Sequence, residues 1–247
     1  MDFFSWDRFF TAFPKILPSM GVTLNIVAVV TVIGTVWGIL LAMVQIRKIP
    51  VLCPLSKIYV SFFRGTSMLV QLLLIYYGFP RLVDSIFGTD LNQSLGKIFF
   101  VYITFILNEG AFLSAVFYGA ITSVNVGQLE AGYSVGMTKN QVYRRIILPQ
   151  AVRTALPPFG SDLVALFQST TLVYYIGVTD VLGRARALGA ARKHYLEAYL
   201  AVAVIFVIVS GMIRLVFAWL NESLNYGRDR NSAVKKGEQE VQENVPI

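Results

Sequence analysis

Apolar residues fill this chain in long, unbroken runs instead of alternating with polar ones. Met20 to Val44 carries no charged residue. A helix of about 20 apolar residues crosses the roughly 30 Å hydrocarbon core of a bilayer, so this run predicts a first spanning helix. Gly21, Gly34 and Gly38 within it would let a second helix approach closely, and Arg47, Lys48 and Pro50 end it. Four further runs predict spans over Ile58 to Phe79, Ile98 to Val126, Thr154 to Val178 and Ala198 to Leu220. Arg64 stands near the start of the second, placed to snorkel to the interface, and Pro80 closes that run. The expected fold is therefore all-α and integral to the membrane, with five transmembrane helices.

Three regions follow from this pattern. Residues 1–19 form an interfacial segment carrying Phe3, Phe4, Trp6, Phe9, Phe10 and Phe13, of the kind that sits at headgroup level. They lack the basic-then-apolar order of a cleaved signal peptide. Residues 20–220 form the transmembrane domain. Residues 221–247 form a polar tail whose composition predicts disorder.

One polar stretch interrupts the apolar pattern, at about residues 127–150. Leu129 to Val135 reads as a short helix stopped by Gly136, the residue favoured just past a helix end. Thr138, with Gln141 three residues on, reads as a capping box opening a second helix. Val142 and Ile146 share one face of it and Tyr143 and Ile147 another, with Arg144 and Arg145 as a cationic flank and Pro149 as the turn toward the fourth span. A glycine-bent helix pair between spans predicts a helix-turn-helix lying on the membrane surface and touching another protein. An ordinary surface loop is the plainer alternative.

Composition agrees with the pattern. Of 247 residues, 55% are hydrophobic and 14% charged, against about 25% charged in soluble domains. The net charge of +7 sits in short segments beside the apolar runs, without the interleaved aromatics of a nucleic-acid surface. Five spans put the termini on opposite sides. With the N-terminus outside, the inner segments 45–57, 127–153 and 214–247 hold 12 Lys and Arg residues and the outer segments 1–19, 80–97 and 177–197 hold 8. The bias favours an external N-terminus and a cytoplasmic C-terminus. The outer segment 177–197 dissents, with Arg184, Arg186, Arg192 and Lys193.

Candidate chemistry is sparse. A single cysteine, Cys53, excludes an intramolecular disulfide, and with His194 as the one histidine there is no ligand cluster for a metal. Gly96-Lys97 is not a phosphate loop, since Leu91 stands at the required glycine and Ile98 follows the lysine. Energy for uphill transport would have to come from a separate ATP-hydrolysing protein. The unusual groups are polar residues inside spans. Glu109 would either face a polar cavity and meet an ammonium group or pair with another helix, and Asn108 shares that argument. Gln168, Ser169, Thr170 and Thr171 would either line a water-filled path or bond carbonyls one turn back. Asp162 is expected near the inner surface, paired with Arg153 or Arg64.

The polar stretch also carries a resemblance. Glu130-Ala131-Gly132, three residues, Gly136, nine residues, then Ile146-x-Leu148-Pro149 resembles the EAA loop of bacterial ABC importer permeases with the MetI-like fold. Gly132 stands where that family usually has Ala, a change of about 1 kcal/mol in helix propensity that the fold should tolerate. Phe63-Arg64-Gly65-Thr66, Leu69-Val70-Gln71-Leu72 and Tyr76-Tyr77-Gly78 resemble the second span of the polar amino acid subfamily of histidine, glutamine and cystine permeases. Leu148-Pro149-Gln150-Ala151, Ala155-Leu156-Pro157-Pro158 and Ile176-Gly177-Val178-Thr179 resemble its loop exit and fourth span. Two positions depart from it: Ser67 replaces a usual Pro, and Ala115 and Tyr118 stand where the third span usually has an acidic and a basic residue.

The resemblance implies a non-catalytic permease in the bacterial inner membrane. It implies that Glu130, Ala131, Gly132, Gly136, Ile146, Leu148 and Pro149 dock into a groove on an ATP-binding subunit. The implied partners are a dimer of those subunits, which bind the ATP and Mg, a second permease copy or close relative, and an extracytoplasmic amino-acid-binding protein. No cofactor is expected on this chain. Two rivals remain at this stage: a channel or ion-coupled carrier without an ATPase, and a membrane enzyme using Glu109 and Asp162 as acids.

Overall fold

The computed structural model describes residues 4–88 and 95–243, so Phe3 lies outside it. Helix α1 (Trp6–Ile16) passes through a 3-10 turn into α2 (Met20–Ile46). Then come α3 (Leu52–Gly65), α4 (Met68–Leu73), a π turn over Leu74–Gly78 and α5 (Phe79–Phe87). Helix α6 (Lys97–Thr122) leads to the surface hairpin, built of α7 (Val126–Ser134), α8 (Lys139–Val142) and a π segment, Tyr143–Ile147. Helix α9 (Leu148–Ser169) ends in a 3-10 stretch, Thr170–Ile176, and α10 (Val181–Arg192) and α11 (Leu196–Glu243) complete the chain. No strand occurs among the described residues.

Four helical stretches are long and apolar enough to cross a membrane: Trp6–Ile46, Met68–Ile86, Lys97–Thr122 and Leu196–Leu224. The expected fourth span is of another kind. Arg153, Pro157, Pro158, Ser161 and Asp162 make α9 too polar to qualify, and it is held by packing against α6 and α11. The second span also differs from expectation. It is not continuous from Ile58 to Phe79, because Thr66 (ψ 153°) and Ser67 (ψ 131°) are extended and break the helix between α3 and α4. Pro80 does not close it either. It occupies the first turn of α5, where its missing N–H is not needed. The polar tail, expected to be disordered, continues α11 as helix to Glu243.

The centre of the bundle is the packing of α2 along α6. In lipid there is no hydrophobic drive for two helices to associate, so close backbone approach carries the contact. Glycines provide it. A Cβ on Gly34 would lie 3.0 Å from Glu109 Cγ, and one on Gly38 2.9 Å from Leu113 Cβ. Gly110, on the facing helix, would put a Cβ 2.3 Å from Trp37 Cδ1. Gly21, expected to share this role, meets nothing within 4 Å. The Trp37 indole N–H donates to the Tyr59 hydroxyl at 3.0 Å, which donates to the Leu107 carbonyl at 2.6 Å. That chain ties α3 to the same seam. Ile26, Val30, Leu72, Phe105 and Phe167 form the buried core around it.

A second cluster joins α1, α10 and α11 through Ala12, Ile16, Val181, Ala185 and Ala201. Arg8 pairs with the buried Glu197 at 3.1 Å, and the Ser5 backbone N–H donates to the same carboxylate at 3.2 Å. Trp6 and Phe10 are left 67% and 63% exposed on the outer side of α1, where a bilayer interface would receive them. The arginines of the dissenting basic segment take part in the same clamp. Arg184 donates to the Lys15 carbonyl at 3.2 Å, Arg192 to the Thr11 hydroxyl at 3.1 Å, and Arg186 lies 4.8 Å from the Tyr174 ring centroid. These arginines hold α10 to its neighbours.

Overpacking a close helix contact destabilises by about 1–3 kcal/mol, more than Ala gains over Gly in helix propensity. Gly110→Ala should therefore lower the Tm of the detergent-purified protein, and Gly21→Ala should leave it unchanged or raise it slightly. Thermal unfolding of the two variants side by side checks this.

Candidate functional site

The hairpin closes through three local devices. The Asn125 side chain caps α7 by accepting from the Gly127 N–H at 2.8 Å. Helix α7 ends in a Schellman motif: Met137 N–H bonds the Gly132 carbonyl at 3.1 Å and Gly136 N–H the Tyr133 carbonyl at 2.9 Å. Gly136 has φ +79°, a region that a Cβ penalises. The expected capping box is present, with Thr138 N–H donating to Gln141 Oε1 at 2.8 Å and Gln141 N–H to Thr138 Oγ1 at 3.4 Å.

The two arms meet at Gly132. It is buried, and a Cβ there would sit 2.9 Å from Val142 Cγ2 and 3.1 Å from Ile146 Cδ1. Sequence reasoning treated Gly132 as a small loss of helix propensity; in the fold it is what lets α7 lie against α8. Pro149 is also reassigned. It makes no turn toward the next helix but lies in the first turn of α9, which continues α8 and the π segment without interruption. Among the motif residues, Glu130, Ala131 and Gly136 are exposed, Gly132 is inside the hairpin, Ile146 is half-buried against it, and Leu148 and Pro149 are exposed at its base. Val126 and Val135 present large apolar surfaces outward, 66% and 76% exposed.

A polar cavity of about 160 Å³ lies between α6, α9 and the break separating α3 from α4. Thr66, Met68, Asn108, Glu109, Phe112, Asp162 and Ser169 line it. The Glu109 and Asp162 carboxyl groups meet there, and the buried Asp162 Oδ2 has no hydrogen-bond partner. The Arg64 guanidinium acts on Asp162 electrostatically and lies 5.5 Å from the Phe112 ring centroid. Of the two expected partners for Asp162, Arg64 is the one its surroundings provide.

The structure divides the expected polar residues. Asn108 lines the cavity, but its amide donates to Gln71 Oε1 at 2.8 Å and to the Phe63 carbonyl at 3.3 Å. Gln71 in turn donates to Phe63 O at 3.0 Å and to Thr66 Oγ1 at 2.7 Å. Together these amides satisfy the end of α3 where the helix breaks. Gln71, a lone polar side chain in the apolar run Leu69 to Leu73, was the signal that sequence reasoning passed over. Ser169, Thr170 and Thr171 bond the carbonyls of Ala165, Phe167 and Gln168 at 2.7–2.9 Å, the second of the two roles the sequence allowed. Ser169 still borders the cavity, Thr170 is buried in the core, and Gln168 is exposed. No group of three or more metal-ligating side chains occurs among the described residues.

The described residues thus form a helical membrane domain that carries a capped surface hairpin. Residues 34–226 match the family described as binding-protein-dependent transport system inner membrane component, and the chain belongs to that family. It is thus a multi-pass inner-membrane permease subunit without catalytic activity or cofactor of its own, in a family that works with ATP-binding and substrate-binding partners. It is 39% identical over 206 residues to the probable amino-acid permease protein YxeN of Bacillus subtilis, covering 83% of this chain and 89% of that one. It is 35% identical over 206 residues to the L-cystine transport system permease protein TcyL of the same organism, covering 83% and 84%. Its fold is shared with a crystal structure of an amino acid ABC transporter with histidines (TM-score 0.80, 24% identity, 90% and 100% coverage). The MetNI methionine ABC transporter in inward-facing form is a more distant match (TM-score 0.64, 18% identity, 90% and 99% coverage).

Gly132→Ala should loosen the hairpin despite the better helix propensity, because the added methyl overpacks against Val142 and Ile146. Backbone amides of 127–147 should exchange hydrogen faster in that variant, and Gly132→Ala combined with Val142→Ala should restore native protection.

Proposed function

We propose that this chain is the permease of an ATP-driven importer for polar amino acids, with its hairpin docked on an ATP-binding subunit in the cytosol. One observation carries the reading. The second arm of the hairpin and the helix that brings Asp162 to the cavity are one continuous rod. Leu148 to Asp162 is about 21 Å at about 1.5 Å per residue. A push on the hairpin therefore travels along continuous helix, through the proline pair Pro157–Pro158, toward the cavity wall and not into a loop.

Glu130, Ala131 and Gly136 supply the exposed contact with the ATP-binding subunit, and the outward Val126 and Val135 add apolar area beside them. Gly132 and Ile146 keep the two arms together, and Leu148 and Pro149 pass the movement into α9. Closure of a dimer of ATP-binding subunits, with ATP and Mg between them, rocks the helices outward-open. An extracytoplasmic binding protein then releases its amino acid into the cavity. The paired carboxyl groups of Glu109 and Asp162 receive a cationic group, such as the α-ammonium, with Arg64 balancing the charge in its absence. Asn108 positions the wall through Gln71 and Phe63, and Ser169 contributes its free lone pairs. Gln168, Thr170 and Thr171 serve the helix end. The working unit includes a second permease, either a copy of this chain or a close relative. The excess of basic residues on the hairpin side supports an external N-terminus and a cytosolic C-terminus.

A carrier or channel without an ATPase leaves the capped hairpin with no work to do. Co-purification of an ATP-binding subunit with the native protein, lost on disrupting the turn, separates the two readings.

Gly136→Pro cannot adopt the required positive φ and should abolish ATP-dependent uptake in vesicles while membrane insertion stays normal; undiminished uptake would refute the coupling role. Glu109→Gln should weaken the stimulation of ATP hydrolysis by substrate-loaded binding protein while the complex still assembles. An unchanged response removes Glu109 from the substrate path.

A further inference from the structure

We infer that this permease holds an anionic phospholipid at the root of its hairpin. One acyl chain lies in a groove between α2 and α9, and the phosphate lies between Arg47 and Arg144. The groove has a volume of about 340 Å³ and no polar surface at all. Its walls include Ile39 and Met43 of α2, Phe117 of α6, and Leu148, Val152 and Phe159 of α9. It shares the α6–α9 seam with the polar cavity, but its third wall is α2, whereas that of the cavity is the break between α3 and α4. A polar amino acid would find no hydrogen bond there, and an unmet polar group in a dry site is costly. A hydrocarbon chain meets no such penalty.

The charge at one end of the groove selects the headgroup. Arg47 stands four residues beyond Met43, at the end of the α2 stripe that lines the groove. Arg144 stands four residues before Leu148, at the start of the α9 stripe. Arg47 thus stands one helical turn beyond the α2 wall and Arg144 about one turn of the π segment before the α9 wall, both at the hairpin end. Both side chains are exposed, and no ion pair reaches either among the described residues. Basic groups at the mouth of an apolar cleft between helices are the pattern that recognises anionic lipid phosphate. Leu148 is both a wall of the groove and the first residue of the rod below the hairpin. An occupied groove therefore braces the point where movement enters the bundle, and uptake becomes sensitive to anionic lipid. This inference rests on the proposed function for the leaflet, through the cytosolic placement of the hairpin, and for the movement that Leu148 passes into α9.

The test uses the intact complex with its ATP-binding subunit, reconstituted in phosphatidylcholine alone or with phosphatidylglycerol, then stripped with detergent. Retained lipid is counted by mass spectrometry. The native complex should keep phosphatidylglycerol over phosphatidylcholine by roughly thirtyfold, as expected for about 1 kcal/mol from each arginine. Arg47→Gln with Arg144→Gln should erase that preference, and Val152→Trp, which fills the groove from an exposed position, should remove retained lipid of either kind. Ile39→Trp on the opposite wall replaces it if Val152→Trp fails to assemble. Equal retention of both lipids by the native complex overturns the inference, as does an unchanged preference in the double arginine variant. Loss of the second permease from the Val152→Trp complex, with lipid retained, shows that the groove seats the second subunit and also overturns it. Normal ATP-dependent uptake alongside any of these results leaves the permease function standing.

Discussion

Everything in this molecule hangs on the approach of α2 to α6. Within a bilayer two apolar helices gain nothing by hiding from solvent, so their association depends on close packing and on hydrogen bonds. Gly34, Gly38 and Gly110 remove the side chains that would hold the helices apart. The contact fixes the orientation of α6, and α6 carries the rest. One side of it holds Trp37 and, through Tyr59, anchors α3. Another presents Asn108 and Glu109 to the cavity, and its lower end meets α9 through Phe117 and Phe159, with ring centroids 6.4 Å apart.

Polar groups in this bundle have two separate duties. Some repair broken helices. Gln71 and Asn108 meet the carbonyls exposed where α3 stops, and Ser169, Thr170 and Thr171 bond backward where α9 tightens into a 3-10 turn. Such repair is obligatory, because an unmet carbonyl has no water to turn to at this depth. Others are left with unmet capacity. Asp162 Oδ2 is buried without a partner beside Glu109, and helix repair does not explain that arrangement. Thr23 Oγ1, Thr31 Oγ1 and Ser210 Oγ are likewise buried without a partner; what sets Asp162 apart is its place beside Glu109 on the cavity wall.

The hairpin follows the same economy of small residues. Its turn is set by Gly136 in a left-handed conformation, its second arm by the Thr138–Gln141 box, and its closure by the missing Cβ of Gly132. The π segment over Tyr143–Ile147 and the absence of any break at Pro149 make the second arm and α9 a single body. At the far end of the bundle the Arg8–Glu197 pair and the arginines of α10 fasten α1 and α10 to α11.

The sequence by itself determined the membrane character, the start of α6, the turn at Gly136 and the capping box at Thr138. Each of these depends on residues close together in the chain: an apolar run, a positive φ, a side chain three positions from its partner. Only the tertiary structure decided the break at Thr66–Ser67, since that break is stabilised by Gln71 and by Asn108 from a different helix. The sequence already placed a helix of the bundle over Thr154–Val178; only the tertiary structure showed that its Asp162 meets Glu109 of α6 and lies within the field of Arg64 of α3. The value of Gly132 was likewise invisible beforehand. Local propensity counts its missing methyl as a loss, and only the packing of Val142 and Ile146 across the turn converts it into a requirement.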